Sequence, residues 1–269
     1  MAKWQIGDQT SGRMIKLQSL TKVFGTQRAV DGLTLEIPSG EIVGLLGPNG
    51  AGKSTTLKML TGMLEPTSGT ASIEGYDLLT ESMEVRKRVG FVPDSGAVFE
   101  SLTGLEYLEM IAALYGIPSA AARERIQQFL AFFDLGFDVL TEKLLGAYSK
   151  GMRRKVVITA ALLHNPAVVF FDEPLDGLDA NAAVGFKALI QELAREGRTI
   201  VYSSHVLDVV ERVCDRVIII DKGKVLMDGA PEALVKESGA PSLERLFTHL
   251  TGGDDLERRA ADFAKTFRS

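Results

Sequence analysis

Hydrophobic and polar residues alternate over 14–20 and again over 33–37, the period-two signal of half-buried strands. Residues 41–46 form a short apolar run that ends at Gly47. Over 53–63 the apolar spacing becomes helical, so a strand, a glycine-rich stretch and a helix follow one another directly. Short β-like pieces at 70–73 and 89–92 precede a strongly helical stretch from about Leu105 to Leu163, broken at 116–118 and at Gly136. Strands resume at 168–171, 199–203 and 217–220, separated by helical segments, which is the pattern of a parallel sheet covered by helices. The turn at 221–224 and the strand-like 225–227 come next, and Pro231 marks a helix start. The pattern predicts an α/β core with a helical subdomain inserted over about 95–163 and a helical extension over 230–269. In that extension Leu256, Ala260, Phe263 and Phe267 make an amphipathic stripe, a face for a partner or, the favoured expectation, one that packs on its own domain.

Composition narrows this picture modestly. With 45% hydrophobic and 24% charged residues the chain reads as globular. Its formal net charge of −5 offers no general attraction for nucleic acid, so none is expected as a partner. The single cysteine, Cys214, falls in an apolar-periodic stretch and is expected to be buried and structural; His164 and His249 are given bland structural or surface roles. The polar start of the chain lacks the apolar core of a secretory signal, and no stretch approaches the roughly 20 apolar residues of a membrane helix, so a cytoplasmic location is expected.

Gly47-Pro48-Asn49-Gly50-Ala51-Gly52-Lys53-Ser54, followed by Thr55, matches the phosphate-cradling loop G-x-x-x-x-G-K-[ST] in its strand-to-helix context. Glycines let the backbone wrap phosphates while amide N–H groups and the helix N-terminus supply positive dipole. Lys53 is expected to reach the β- and γ-phosphates and Ser54 to hold Mg²⁺. A ligand-free tight turn would explain the glycines but not the Lys-Ser pair. An apolar strand ends in Asp172-Glu173, at the edge of the sheet where α/β proteins bind ligands. Asp172 is expected to bind Mg²⁺ and Glu173 to act as the catalytic base toward water; alone, the pair would read as a solvated strand end.

Three further elements decide among nucleotide hydrolases: Tyr148-Ser149-Lys150-Gly151-Met152 at a helix start, Asp176-Gly177-Leu178-Asp179 after the Asp-Glu step, and Ser203-Ser204-His205 at the end of the next core strand. In their order and spacing, from about Ile15 to Gly229, the chain resembles the ATP-binding cassette family, and most of all its drug- and antibiotic-exporter cassettes. The resemblance implies a P-loop NTPase core with a parallel sheet, an antiparallel β subdomain and an inserted helical subdomain, the ATPase domain spanning 14–229. It implies ATP and Mg²⁺ as cofactors and hydrolysis to ADP and phosphate. It implies head-to-tail pairing with a second copy or a related cassette, and a membrane permease on another chain, with this chain peripheral on the inner face of the cell membrane.

By the same resemblance Ser149 and the Gly151 amide face the γ-phosphate of the partner's ATP, and His205 holds the γ-phosphate and the attacking water. Phe24 stacks on adenine, with Val30 packing on the same base; otherwise Phe24 reads as a core residue. Lys150 and Met152 depart from the commoner glycine and glutamine. Asp94 stands where the family has a glutamine, and its carboxylate is expected to reach Mg²⁺. The alternative function is a non-transport ATPase of this family, a regulator or mechanical switch.

Overall fold

The computed structural model describes residues 13–204, 207–253, 259, 263 and 267. The chain opens with a long hairpin, β1 (Arg13–Phe24) and β2 (Gln27–Pro38), turned at Gly25, which adopts a left-handed φ of 56°. Next, β3 (Ile42–Leu46) runs through the glycine-rich loop into α1 (Lys53–Leu60). After it come β4 (Ser68–Ile73), β5 (Tyr76–Asp77), α2 (Ser82–Arg88) and β6 (Val89–Val92). The first hairpin joins β4 and β5 in an antiparallel sheet of order β2-β1-β4-β5. Its buried residues, Ile15, Leu17, Leu33, Ile37 and Ile73 among them, pack in one core with β3 and α1.

Four helices follow: α3 (Gly104–Leu114), α4 (Ser119–Phe133), α5 (Phe137–Glu142) and α6 (Lys150–Leu162). Thr103 and Glu106 form a reciprocal capping box that fixes the start of α3. These helices close a core of their own around Leu108, Ile126, Leu140 and Leu145, and α6 leads from it to the main sheet.

The chain then alternates: β7 (Val168–Asp172), α7 (Ala180–Arg195), β8 (Thr199–Ser203), α8 (Leu207–Val213), β9 (Arg216–Asp221) and β10 (Lys224–Gly229). The second sheet has the order β10-β9-β3-β8-β7-β6, with parallel pairing from β9 to β6 and an antiparallel edge at β10. All five residues of β3, β7 and β8 are buried, as central strands covered on both faces require. Cys214 lies in this core, where burial pushes its thiol up to about 12.

The last described helices are α9 (Pro231–Ser238), with Pro231 in its first turn, and α10 (Leu243–Leu250). Leu234, Leu243 and Leu246 dock on the sheet's second core. Of the stripe beyond them, Phe263 and Phe267 are 66% and 75% exposed and meet edge to face at 5.2 Å. Leu256 and Ala260 lie outside the described residues. Among the described residues no helix is long and apolar enough to cross a membrane.

Candidate functional site

The parallel order of the main sheet brings the carboxyl ends of β3, β8 and β7 side by side, and the chemistry gathers there. The loop after β3 is shaped by glycines that admit no substitute. A Cβ on Gly47 would stand 2.4 Å from the Ile220 carbonyl oxygen, and one on Gly52 would stand 2.4 Å from that of Ala29. Gly50 and Gly52 take φ of 83° and 108°, which L side chains avoid. Gly52 caps α1, the Ala51 amide donates to Pro48 O, and Gly223 N donates to Ala51 O at 2.9 Å, tying the loop to the turn between β9 and β10. Asn49 and Gly50 form the exposed crest, and Ser54 and Thr55 are half-buried in the first turn of α1.

Lys53 is only 8% exposed, and its ammonium donates to Gly47 O at 2.6 Å and Pro48 O at 3.2 Å. Burial lowers its pKa, and the negative charges of Glu173 and Asp172 oppose that shift. Asp172 ends β7, 2% exposed, paired in register with Ser203 of β8, whose Oγ donates to Asp172 Oδ1 at 2.5 Å. Glu173 turns the chain away from the sheet at a φ of 50°, unusual for a residue with a side chain, and its amide donates to Ser203 O at 3.1 Å. A backbone held in a rarely populated region at a strand end fixes where a half-buried carboxylate emerges.

The second group of residues lies at the start of α6. Ser149 caps the helix, its Oγ accepting from Met152 N at 3.2 Å, and Ser149 and Lys150 are exposed at its start. Gly151 lies so close to the segment after β7 that a Cβ there would stand 2.5 Å from Gly177 O. Gly177, at φ 85°, lies under the stem of Lys150, whose Nζ pairs with Asp176 Oδ2 at 2.5 Å. Asp179 caps α7 and lies 3.4 Å from Lys155 Nζ. The sequence signal for this docking was the two glycines, which were read separately.

The remaining expected residues divide. Phe24 is 49% exposed near the end of the first hairpin, with Lys22 Nζ 5.3 Å from its ring centre; this removes the core reading and leaves an aromatic face at the surface. Val30 corrects its expectation. It is fully buried, with Cγ2 3.5 Å from where a Cβ on Gly52 would lie, so it supports the loop from beneath and has no surface to offer a base. Asp94 is exposed just after β6, with its Oδ1 3.9 Å from Arg154. His205 lies outside the described residues. His164 is structural: Nε2 lies 3.1 Å from Val89 O, the ring stacks on Tyr115, and burial lowers its pKa to about 4. Sequence reasoning missed Ser203 as a partner of Asp172, and it missed Arg154. A hydroxyl beside the acidic strand end, and a cation within the apolar stretch of α6, were the available signals.

This donor set suits a nucleoside polyphosphate with a hard cation. The loop is closed to side chains yet lined with amides, a hydroxyl and an ammonium, and the buried Asp172 carboxylate stands across from it.

Comparison with known proteins agrees with this geometry. The family model described as ABC transporter matches residues 30–176. The ABC transporter ATP-binding protein NatA of Bacillus subtilis is 38% identical over 240 residues, covering 87% of this chain and 96% of its own. The daunorubicin/doxorubicin resistance ATP-binding protein DrrA of Streptomyces peucetius is 39% identical over 237 residues, covering 88% of this chain and 71% of its own. A solved ATP-binding subunit of an ABC transporter superposes with a TM-score of 0.82 at 32% identity, over 88% of this chain and 99% of that one. A dimeric ATP-binding cassette in a post-hydrolysis state, bound to ADP and Pi, gives a TM-score of 0.75 at 26% identity, over 81% and 98%.

Proposed function

This chain belongs to the ABC transporter family as an ATP-binding subunit, and from that premise we propose that it hydrolyses ATP in a Mg²⁺-dependent reaction to power export through a permease on a separate chain. The observation that carries the proposal is the glycine loop that no side chain can enter, with Lys53 buried in it, at the same edge of the sheet as the buried Asp172 that ends β7. Drug resistance named for one relative supports export as the direction. With the permease embedded in the bilayer, the chain works at the inner face of the cell membrane.

In this reading the amides of 47–55 and the Lys53 ammonium bind the phosphates, and Phe24 offers its exposed ring to the base. Ser54 and Asp172 would hold Mg²⁺, with Asp94 a further candidate carboxylate; the ion would neutralise charge on the phosphates. Glu173 orients a water and accepts its proton as the water oxygen bonds to the γ-phosphorus. The bond from that phosphorus to the β–γ bridging oxygen breaks, releasing ADP and phosphate. Lys53 stabilises the charge that moves onto the leaving oxygens.

The exposed start of α6 supplies the reason for a second copy. Ser149 and the Gly151 amide present anion-binding groups outward, and pairing head to tail would set them against the phosphates bound by another copy or a related cassette. ATP then bridges the pair, and hydrolysis loosens it, the population switch that a transport cycle uses.

The test is light scattering on the Glu173→Gln protein. A dimer should form with ATP and Mg²⁺, vanish with EDTA and fail in the Ser149→Ala background. A monomer in saturating nucleotide would refute pairing of like copies.

A further inference from the structure

Among the described residues two basic side chains are buried, Lys53 and Arg154. Lys53 is accounted for by the phosphates. Arg154, 2% exposed in the second turn of α6, is not. Burying a cation costs several kcal/mol unless its donors are satisfied, and an apolar side chain of similar volume would pack at less cost. The guanidinium spends its donors on main chain: Nη1 on Pro93 O at 2.7 Å, Nη2 on Asp94 O at 2.9 Å and Nε on Asp176 O at 3.4 Å. Carbonyl acceptors tie it to the path of the chain and not to side chains that can swing away. The first two belong to the segment that follows β6, the third to the segment that follows Glu173, and the arginine itself stands five residues beyond Ser149. The charges of Asp94, Asp176, Asp172 and Glu173 favour its cation, in that order, against desolvation, so the guanidinium shares one electrostatic neighbourhood with the carboxylates.

We propose that Arg154 is a positioning residue that locks the segment 93–94, the segment 176–177 and the start of α6 into one unit, so that a displacement at any of the three is felt at Glu173. Only a planar fork meets carbonyls on two separate segments at once; a lysine keeps the charge and reaches fewer of them. The hydrolytic geometry is thus set from the exposed 93–99 loop and from the α6 surface through one side chain. This inference rests on ATP binding at 47–55.

The experiment is hydrogen–deuterium exchange of the full chain, with and without MgATP, on the native protein, Arg154→Lys and Arg154→Met, together with melting curves and ATPase kinetics. In the native chain, peptides covering 47–55, 93–99 and 174–179 should all gain protection with MgATP. In Arg154→Lys, the variant that keeps the buried charge, 47–55 should still respond while 93–99 and 174–179 no longer do. Its kcat should fall by about tenfold or more with KM for ATP within about twofold, the signature of misplaced reacting groups and not of lost binding. Arg154→Met should show a larger fall. Linked protection and full kcat in Arg154→Lys would overturn the proposal, as would loss of the 47–55 response in that variant, which would mark a merely structural role. No response at 47–55 in the native chain would refute the ATP reading itself, and this inference with it.

Discussion

Two helix starts in this protein follow a short polar or glycine-rich lead-in, and each has a lysine beside it. At the start of α1, Lys53 is 8% exposed, its neighbours are glycines pressed against other backbone, and its ammonium is bonded within its own loop. At the start of α6, the Lys150 side chain is 64% exposed and lies across Gly177 to reach Asp176, with Ser149 exposed beside it. The first is enclosed by the sheet; the second lies open to the outside. Burial therefore separates a closed loop from an open surface, which the proposed function reads as a site that binds within one copy and a surface that acts against a second.

The comparison breaks first at the carboxylate. Glu173→Gln should lower kcat by about 10²- to 10⁴-fold while leaving ATP binding at 47–55 intact, read by steady-state kinetics and a fluorescent nucleotide titration. Gly47→Ala comes next. Its new Cβ would sit against Ile220 O at 2.4 Å and Ala51 Cβ at 2.8 Å, an overlap costing about 1–3 kcal/mol, so both melting temperature and nucleotide affinity should drop. Gly151→Ala sharpens the contrast, because its Cβ at 2.5 Å from Gly177 O presses on the segment after β7 and not on the phosphate loop. ATP affinity of the isolated chain should be unchanged, while ATP-dependent dimerisation and kcat fall by about tenfold. Equal losses of affinity in both glycine variants would erase the distinction between the two sites. The smallest effect is Asp176→Asn: the Lys150–Asp176 pair is largely exposed, so the melting temperature should move by less than about 2 °C. Freed of that partner, Lys150 should strengthen the ATP-dependent dimer at low salt.

Legibility in the sequence followed the range of the interactions. The glycine loop, the acidic end of β7 and the cap at Ser149 are local patterns and could be read directly, as could the α/β alternation and the helices within 104–162. Two short elements, β5 and α2, escaped, since two and seven residues are too few to establish a period. Val30 was misjudged because alternation along β2 tells which residues share a face but not whether that face meets solvent or the underside of a loop. Arg154 and Ser203 act on partners 22 to 61 and 31 residues away, respectively, and nothing in their immediate surroundings announces those partners. Phe263 and Phe267 repeat at helical spacing and still face outward, because a stripe shows which side is apolar and not what covers it.

The bonds from Lys53 to Gly47 O and Pro48 O bear on how such a protein runs through many turnovers. A loop whose lysine grips its own carbonyls is already folded around a stand-in for its cargo. If the loop binds phosphate as proposed, the phosphate would exchange one set of partners for another, and the gain on binding would be a difference between two bonded arrangements and not the full strength of the new contacts. When product departs, the ammonium has somewhere to return. On the proposed function those carbonyls would hold the ammonium in place between one nucleotide and the next.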